Sequence, residues 1–248
     1  MKTHATPLRP KPEHLAQIER ILARIRPDDP NTPFSFIVPE IERRAVDLWL
    51  VERFITKSAR VADVGCTPLL LQIALKENGY KVEGVDGTPE FYSQTIAAEN
   101  LIVHRCNFET EPLPYPDASL DAVLFNEVLE HLRINLIFTL KEIRRVLKPD
   151  GILLLSTPNA LSLSRLSHIV LERRLGVPIY EVYSDFERIG FAGHVREYSL
   201  REVCAFLSAI GFKIVSVSHK GRYVHPVYDA VLGLIPPLRP GLSVVAQA

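Results

Sequence analysis

The sequence predicts an α/β fold, in which a doubly wound, mostly parallel sheet of seven strands is flanked by helices. Two observations lead to this prediction. Short apolar runs alternate with helical patterns across residues 60–156, which is the rhythm of parallel strands joined by crossover helices. The chain has 248 residues, of which 47% are hydrophobic, and this is enough to bury one large core.

The elements follow one another in a regular order. Apolar runs predict the first five strands at residues 60–64, 81–85, 101–106, 120–125 and 152–156. Helical spacing predicts helices at 68–77 and 89–98 and a helical region that continues to residue 147, followed by a turn at 148–151. Later patterns predict helices at 160–174 and 200–210 and a strand at 212–218. A last strand at 242–246 is expected to pair antiparallel beside the fifth.

Two helices precede the first strand. Apolar spacing predicts them at 14–25 and at about 39–55. We interpret residues 1–56 as a helical cap on an α/β domain at 57–248, with an insertion at about 159–198. On the second cap helix, Arg43, Arg44 and Arg53 are expected to form a solvated face.

Composition limits the classes of partner and compartment. The 29 Lys and Arg residues balance the 29 Asp and Glu residues, and this zero net charge disfavours a nucleic-acid partner. Cys66, Cys106 and Cys204 are scattered without metal-finger spacing, which predicts a reducing, cytoplasmic location. No stretch approaches the roughly 18 apolar residues of a membrane span, so no transmembrane segment is expected. Nothing in the composition indicates an oligomeric state.

Residues suited to a ligand follow the ends of the first two strands. Open α/β sheets bind ligands at the carboxyl ends of their strands, near the reversal of strand order. Asp63 lies at the end of the first strand, and Gly65 permits a tight turn that a ligand can approach closely. Thr67 is expected to cap the next helix and Pro68 to begin it. Asp86 ends the second strand about 20 residues later, where a carboxylate accepts hydrogen bonds from ribose hydroxyls.

The third strand leads into two further residues with this potential. Asn107 can accept a hydrogen bond from an adenine amino group, and Phe108 can offer a backbone N–H or an apolar wall. A dinucleotide-dependent oxidoreductase would carry the Gly-x-Gly-x-x-Gly pattern, which is absent here.

The ordered set of motifs resembles the class I S-adenosylmethionine-dependent methyltransferase family. The set consists of Asp63-Val64-Gly65-Cys66, Gly84-Val85-Asp86, residues 111–115 with Ser119-Leu120-Asp121, residues 126–132 and residues 147–151. The resemblance spans about residues 60–212 and implies a Rossmann-like fold with S-adenosylmethionine as cofactor. The implied cofactor residues are Asp63, Gly65, Cys66, Asp86, Asn107, Phe108 and Asn126. Among them, Gly65 lies under the methionine part, Asp86 holds the ribose, and Asn107 and Phe108 flank the adenine, while Asp63 orients the turn.

One departure from the family pattern concerns the cofactor turn. The family usually has Gly-Cys-Gly-x-Gly, whereas this chain has Gly65-Cys66-Thr67-Pro68-Leu69. Two glycines are therefore missing, and Pro68 has no backbone N–H. Three consequences stay open at this point: a tighter turn, weaker cofactor binding, or a protein that no longer catalyses.

A second group of polar residues follows the fourth strand. If Glu127, Glu130 and His131 begin a helix, their spacing puts them on one face at the carboxyl edge of the sheet. Two carboxylates and an imidazole form a plausible divalent-cation site. A hydroxyl acceptor also requires a general base or a Lewis-acidic metal, because it is weakly acidic.

The Glu-x-x-Glu-His pattern resembles the metal-binding motif of two O-methyltransferase branches. One branch acts in ubiquinone synthesis, and the other methylates the terminal ribose 2′-hydroxyl of small RNAs and adds a distant histidine, here His194. The resemblance implies Glu127, Glu130, His131 and His194 as ligands of Mg²⁺ or Mn²⁺, with Glu130, His131 and His194 as catalytic residues. Two alternatives remain: a metal-free base at His131 or His194, and a purely structural role.

The expected function is O-methylation of a hydroxyl on a sugar or glycan. Thr157-Pro158-Asn159 and residues 194–198 resemble methyltransferases associated with glycan and polysaccharide synthesis. Three rivals stay open: a lipid-like, quinone or polyketide acceptor, the terminal ribose of RNA, and a non-catalytic binding module. In the insertion, four aromatic residues are expected either to line the acceptor pocket or to pack the loop itself: Tyr180, Tyr183, Phe186 and Phe191.

Overall fold

The computed structural model describes residues 8, 10–28, 41–176, 178, 180, 183, 184, 187, 193–221, 229 and 235–248. Seven strands in this part of the chain form one sheet: β1 (Arg60–Val64), β2 (Lys81–Asp86), β3 (Val103–Arg105), β4 (Leu120–Asn126), β5 (Leu147–Pro158), β6 (Lys213–Lys220) and β7 (Gly241–Gln247). Their order is β3-β2-β1-β4-β5-β7-β6. The pairs among β1 to β5 are parallel, and β7 pairs antiparallel with both β5 and β6. The predicted fold is confirmed, including the antiparallel last strand.

The described helices flank this sheet. They are α1 (Pro12–Leu22), α2 (Ile41–Phe54), α3 (Leu70–Glu77), α4 (Ser93–Ala98), α5 (Leu136–Val146), α6 (Leu163–Leu171) and α7 (Leu200–Ile210). The bounds of α7 agree with the prediction because Ser199 and Glu202 form a capping box and Gly211 ends the helix in the left-handed conformation. No described helix has both the length and the apolar character needed to cross a bilayer.

Most elements differ from their predicted bounds by one to three residues at an end, and the strands β3 and β5 differ most. The third strand has only three residues instead of six. The predicted turn at 148–151 lies inside β5, because Leu120 pairs with Leu147 while Ala122 pairs with Ile152, so four residues bulge out between the two pairs. Asp150 takes a positive φ of 66° within this bulge.

Apolar side chains cover both faces of the sheet. Successive residues of a strand point to opposite faces, so Leu124 and Leu154 pack in one cluster with α1, α2 and α3, whereas Val123 and Leu153 pack in a second cluster with α5 and α7. The helices of the predicted cap therefore share an apolar core with the sheet. The domain boundary at residue 57 stays a prediction.

Helix α2 buries charge where the sequence predicted a solvated face. That expectation is wrong for Arg44, which is 6% exposed, and for Arg43, which is half-buried and pairs with the buried Glu127. Arg53 is exposed and lies over the ring of Trp49. The reason is that α2 reaches the sheet: Arg44 donates to the backbone oxygen of Asn126 at 3.2 Å.

Candidate active site

The carboxyl ends of β1 and β4 lie side by side at the point where the strand order reverses. This is where open α/β sheets bind ligands. The turn after β1 and the segment after β4 also touch, because a Cβ added to Gly65 would lie 2.3 Å from a methyl carbon of Val128. The turn that contains Gly65 and the segment that leads from Val128 to Glu130 and His131 therefore lie against each other.

Gly65 is required by its backbone and by its surroundings. Its φ is +77°, in the left-handed region that favours glycine. Its N–H donates to the backbone oxygen of Val85 at 2.8 Å, which ties the turn to β2. The neighbouring Cys66 is buried, and its Sγ would lie 2.6 Å from a Cβ added to Gly84. Close packing therefore fixes the path of this turn.

The rest of the turn differs from the prediction. Helix α3 begins at Leu70, with Leu69 as its N-cap at a φ of 72°, and the Thr67–Pro68 peptide is cis. The predictions that Thr67 caps α3 and that Pro68 begins it are therefore wrong. Thr67 points instead to Asp86: its N–H and its hydroxyl donate to Oδ2 of that carboxylate at 3.1 and 2.9 Å. The charge at the end of the neighbouring strand binds the threonine more strongly than a helix terminus would.

Two buried polar residues adjoin this turn. Asp63 is 3% exposed, and burial raises its pKa to about 7, with Asp86 and Asp47 adding to the rise and Arg44 opposing it. Asn126 is 1% exposed, and neither polar atom of its amide has a hydrogen-bond partner among the described residues. Because an unsatisfied buried polar group costs about 1–3 kcal/mol, an amide left in this state fits a site that receives a polar ligand.

The two residues predicted to flank the adenine follow β3 in the chain. Asn107 is exposed, and its Oδ1 accepts from the backbone N–H of Glu109 at 3.3 Å. Phe108 is half-buried and packs edge-on against Phe125, with ring centroids 6.4 Å apart. Phe108 can form an apolar wall, whereas the side-chain oxygen of Asn107 already has a local donor.

Three of the four predicted metal ligands converge. One ligand atom each from Glu130, His131 and His194 lie within 4.8 Å of one another. Oε1 of Glu130 is 3.8 Å from Nε2 of His131 and 4.0 Å from Nε2 of His194. The two imidazole rings meet edge to face at a centroid distance of 5.0 Å. Residues 63 positions apart thus form one cluster at the carboxyl edge of β4.

Glu130 and His194 are each held by their second side-chain polar atom. Thr157 donates to Oε2 of Glu130 at 2.9 Å. Nδ1 of His194 is 2.8 Å from Oε1 of Glu197, which in turn pairs with Arg165 of α6. The backbone N–H of Val195 donates to the backbone oxygen of Glu130 at 2.8 Å. These contacts direct Oε1 of Glu130 and Nε2 of His194 toward the common centre.

Glu127 does not join them. Within residues 127–131 only Leu129–His131 are helical, as a short 3₁₀ helix, and Glu127 has a positive φ of 58°, so the helical spacing assumed from the sequence is wrong. Its carboxylate accepts from Arg43 at 2.5 Å and lies 3.3 Å from Nζ of Lys220. Burial pushes the pKa of Glu127 upward, but Arg43, Lys220 and Arg44 together lower it to about 2. Glu127 is therefore an ionised partner of buried cations.

The electrostatics of Glu130 and His194 favour proton sharing near neutral pH. Burial raises the pKa of Glu130 to about 7, and the charge of Glu127 adds to the rise while His194 opposes it. Burial lowers the pKa of His194, but Glu197 and Glu130 outweigh it, so the pKa is raised. Each charge therefore stabilises the ionised form of the other group.

A family model described as a methyltransferase domain matches residues 16–217. The chain belongs to this methyltransferase-domain family. The match confirms the family that the motifs indicated and covers both the cofactor turn and the Glu130–His131–His194 cluster.

Individual relatives are similar over part of their length. The Bacillus subtilis protein YqeM, a provisionally named methyltransferase, is 30% identical over 130 residues, which is 49% of this chain and 52% of YqeM. The malonyl-[acyl-carrier protein] O-methyltransferase of Enterobacter lignolyticus is 27% identical over 127 residues, 51% of this chain and 50% of that enzyme. The chain thus spans about half the length of these two relatives. A solved S-adenosylmethionine-dependent methyltransferase from Archaeoglobus fulgidus shares the fold, with a TM-score of 0.59 at 19% identity over 86% of this chain and 99% of that chain.

Several residues around the site of this methyltransferase-domain chain were not found from the sequence. Thr157 begins the motif Thr157-Pro158-Asn159, and Glu197 follows His194 by three positions, so both had a local signal. Lys220, by contrast, is fully buried and pairs with Asp47 at 2.8 Å across 173 positions, and nothing in the local sequence indicates this.

That the aromatic residues of the insertion line the acceptor pocket stays a prediction. Tyr180 and Tyr183 are 83% and 67% exposed, so neither is packed inside the loop. Phe186 and Phe191 lie outside the described residues.

Proposed function

We propose that this chain is an S-adenosylmethionine-dependent O-methyltransferase that methylates a hydroxyl of a sugar or glycan with the help of a divalent cation. The convergence of Glu130, His131 and His194 carries the proposal. This cluster follows Val128, which packs against the cofactor turn at Gly65, so an acceptor bound at the cluster would lie beside the methyl donor.

The chemistry of the acceptor explains why such a cluster is needed. Methyl transfer to oxygen is a displacement in line with the bond between sulfur and the methyl carbon, so the acceptor must be aligned. An alcohol hydroxyl is a weak nucleophile unless a base removes its proton or a cation lowers its pKa. Glu130 and the two histidines offer both kinds of group.

The donor set fits a metal ion. Oε1 of Glu130 is buried and has no hydrogen-bond partner among the described residues, while Oε2 is fixed by Thr157 and Nδ1 of His194 by Glu197. Such supporting contacts orient metal ligands in proteins. A bound divalent cation would act as a Lewis acid toward the acceptor hydroxyl.

The identity of the donors also narrows the ion. With Glu127 engaged by Arg43 and Lys220, the set contains one carboxylate oxygen and two imidazole nitrogens. Mg²⁺ prefers oxygen ligands, whereas imidazole suits transition metals. Of the two ions expected from the sequence, this set favours Mn²⁺, and Zn²⁺ fits the same donors.

A metal-free base is the second candidate mechanism. The raised pKa of Glu130, about 7, and the hydrogen bond that Nδ1 of His194 donates to the carboxylate of Glu197 suit a site that accepts a proton near neutral pH. In this case His194 or His131 would take the proton of the acceptor hydroxyl directly.

The proposed acceptor class comes from two sequence segments. The sugar or glycan acceptor follows from the resemblance of the 157–159 and 194–198 segments to methyltransferases of glycan synthesis. The name of the Enterobacter relative indicates methyl transfer to oxygen on a carrier-bound acyl group, which keeps acyl, quinone and polyketide acceptors as alternatives. The zero net charge disfavours RNA.

The test measures release of S-adenosylhomocysteine with sugar glycosides, a quinol and a malonyl thioester as acceptors, before and after chelation with EDTA and re-addition of Mn²⁺. We expect turnover with glycosides that is lost on chelation and regained with Mn²⁺. His194→Ala should lose turnover and Mn²⁺ binding together. His168→Ala is the matched control, because His168 lies in α6 and outside the cluster.

The other outcomes separate the alternatives. Turnover that survives exhaustive chelation would replace the cation with the histidine base. Transfer only to the quinol or the thioester would replace the sugar acceptor. A folded protein that binds no S-adenosylhomocysteine by calorimetry would favour the non-catalytic module.

A further inference from the structure

We propose that the hydroxyl of Thr67 and the ribose of the adenosyl group compete for the same carboxylate, Asp86, and that Thr67 thereby weakens cofactor binding. The inference rests on the proposed function, because it takes an adenosyl cofactor at this turn. It adds a residue that sets the affinity of the site.

The hydrogen bonds of Asp86 leave little capacity for a ligand. A carboxylate has about four acceptor positions, two on each oxygen. Oδ2 accepts from the N–H and the hydroxyl of Thr67 at 3.1 and 2.9 Å, and Oδ1 accepts from the N–H of Thr88 at 2.9 Å. Three of the four positions are therefore filled by bonds of 3.1 Å or less, and the Thr88 hydroxyl lies 3.5 Å from Oδ1, whereas a ribose offers two hydroxyl donors.

The second bond to Oδ2 comes from the side chain of Thr67, at a position where the family usually has a glycine. A glycine at residue 67 would still provide its N–H to Oδ2 but could not provide a hydroxyl. The side chain of a threonine is β-branched and has few rotamers, and the hydroxyl donates to an ionised acceptor, which makes the bond stronger than one between neutral groups. A second ribose hydroxyl can bind Oδ2 only after this bond breaks.

The experiment measures dissociation constants of S-adenosylhomocysteine and of its 2′-deoxy and 3′-deoxy analogues by calorimetry. The variants are Thr67→Val, which removes the hydroxyl and keeps the shape, and Thr67→Ser, which keeps the hydroxyl. Thr88→Val is a second control, because its hydroxyl lies at the outer limit of hydrogen bonding, 3.5 Å from Asp86. Thermal melting of each variant checks that the fold is kept.

We expect Thr67→Val to bind S-adenosylhomocysteine about tenfold more tightly, which is the effect of about 1.4 kcal/mol from one charged hydrogen bond. Thr67→Ser and Thr88→Val should stay within about twofold of the unchanged protein. In the unchanged protein one deoxy analogue should bind nearly as well as the parent compound, and in Thr67→Val both should bind more weakly than the parent.

Two results would overturn the inference. Equal or weaker binding by Thr67→Val would mean that the hydroxyl assists the ribose instead of competing with it. Loss of affinity for both deoxy analogues in the unchanged protein would mean that Asp86 already holds two ribose hydroxyls. A failure of the proposed cofactor looks different, because then no folded variant binds S-adenosylhomocysteine at all, whereas a wrong acceptor or metal would leave these affinities unchanged.

Discussion

Replacing Lys220 by methionine should destabilise the protein strongly. The ammonium group of Lys220 is fully buried, 2.8 Å from Oδ1 of Asp47 and 3.3 Å from Oε1 of Glu127. Glu127 would keep its contact with Arg43 at 2.5 Å. Among the described residues, Asp47 would keep only the hydrogen bond from the hydroxyl of Ser156, at 3.2 Å. The loss therefore falls mainly on Asp47, and removing one partner of a buried ion pair costs about 3–5 kcal/mol.

The cost should depend on pH. Burial raises the pKa of Asp47, and Lys220 is the main opposing influence, so the Lys220→Met variant raises that pKa further. A carboxyl whose pKa is higher in the folded than in the unfolded state is less destabilising when it is protonated. Stability is therefore lost as the pH rises through its folded pKa. The deficit of the variant should be smaller at pH 5.5 than at pH 8.

Urea unfolding at the two pH values measures this effect. The double variant Asp47→Asn with Lys220→Met should recover at least half of the lost free energy of unfolding, because the uncompensated charge is gone. A loss below about 1 kcal/mol in the single variant, or a loss that is the same at both pH values, would refute the account of a dry, coupled pair.

Three further predictions concern the turn, its aspartate and the support of the cluster. Gly65→Ala should lower the free energy of unfolding by at least about 2 kcal/mol, because of the positive φ and the contact with Val128. Gly79→Ala, at a φ of 84° but in open space, should show only the smaller backbone cost, and equal effects of the two substitutions would contradict the role of the contact. Burial raises the pKa of Asp63 to about 7, so the contribution of Asp63 to stability falls as the pH rises from about 4 to 7. Urea unfolding at several pH values should show that the free energy of unfolding falls less steeply over this range in Asp63→Asn, and an unchanged pH dependence would count against the raised pKa. Arg165→Met should weaken Mn²⁺ binding by about 10- to 100-fold with little change in melting temperature, because Arg165 holds Glu197 against His194. An unchanged Mn²⁺ affinity by calorimetry would show that Arg165 does not position His194.

The regular part of the fold could be predicted because its signals are local. A strand that is buried on both faces has a continuous apolar sequence, as in β4, and helix ends have specific residues, as at Ser199 and Gly211. Prediction failed where the chain leaves a regular element. The bulge at 148–151 and the start of α3 depend on pairing with neighbouring strands, and a local pattern does not contain that pairing.

In the candidate site, too, some features could be predicted from the sequence and others could not. The sequence alone determined that Gly65, Asp86, Glu130 and His131 lie at the carboxyl edge of a parallel sheet, since strand ends fix this edge. Only the tertiary structure decided that His194 joins Glu130 and that Glu127 leaves it for Arg43 and Lys220. Helical spacing assumes a regular helix, whereas the chain after β4 turns through a positive φ. The physical reason for the new partners is that a buried carboxylate must find a cation or a donor wherever the fold supplies one, and sequence distance does not limit that choice.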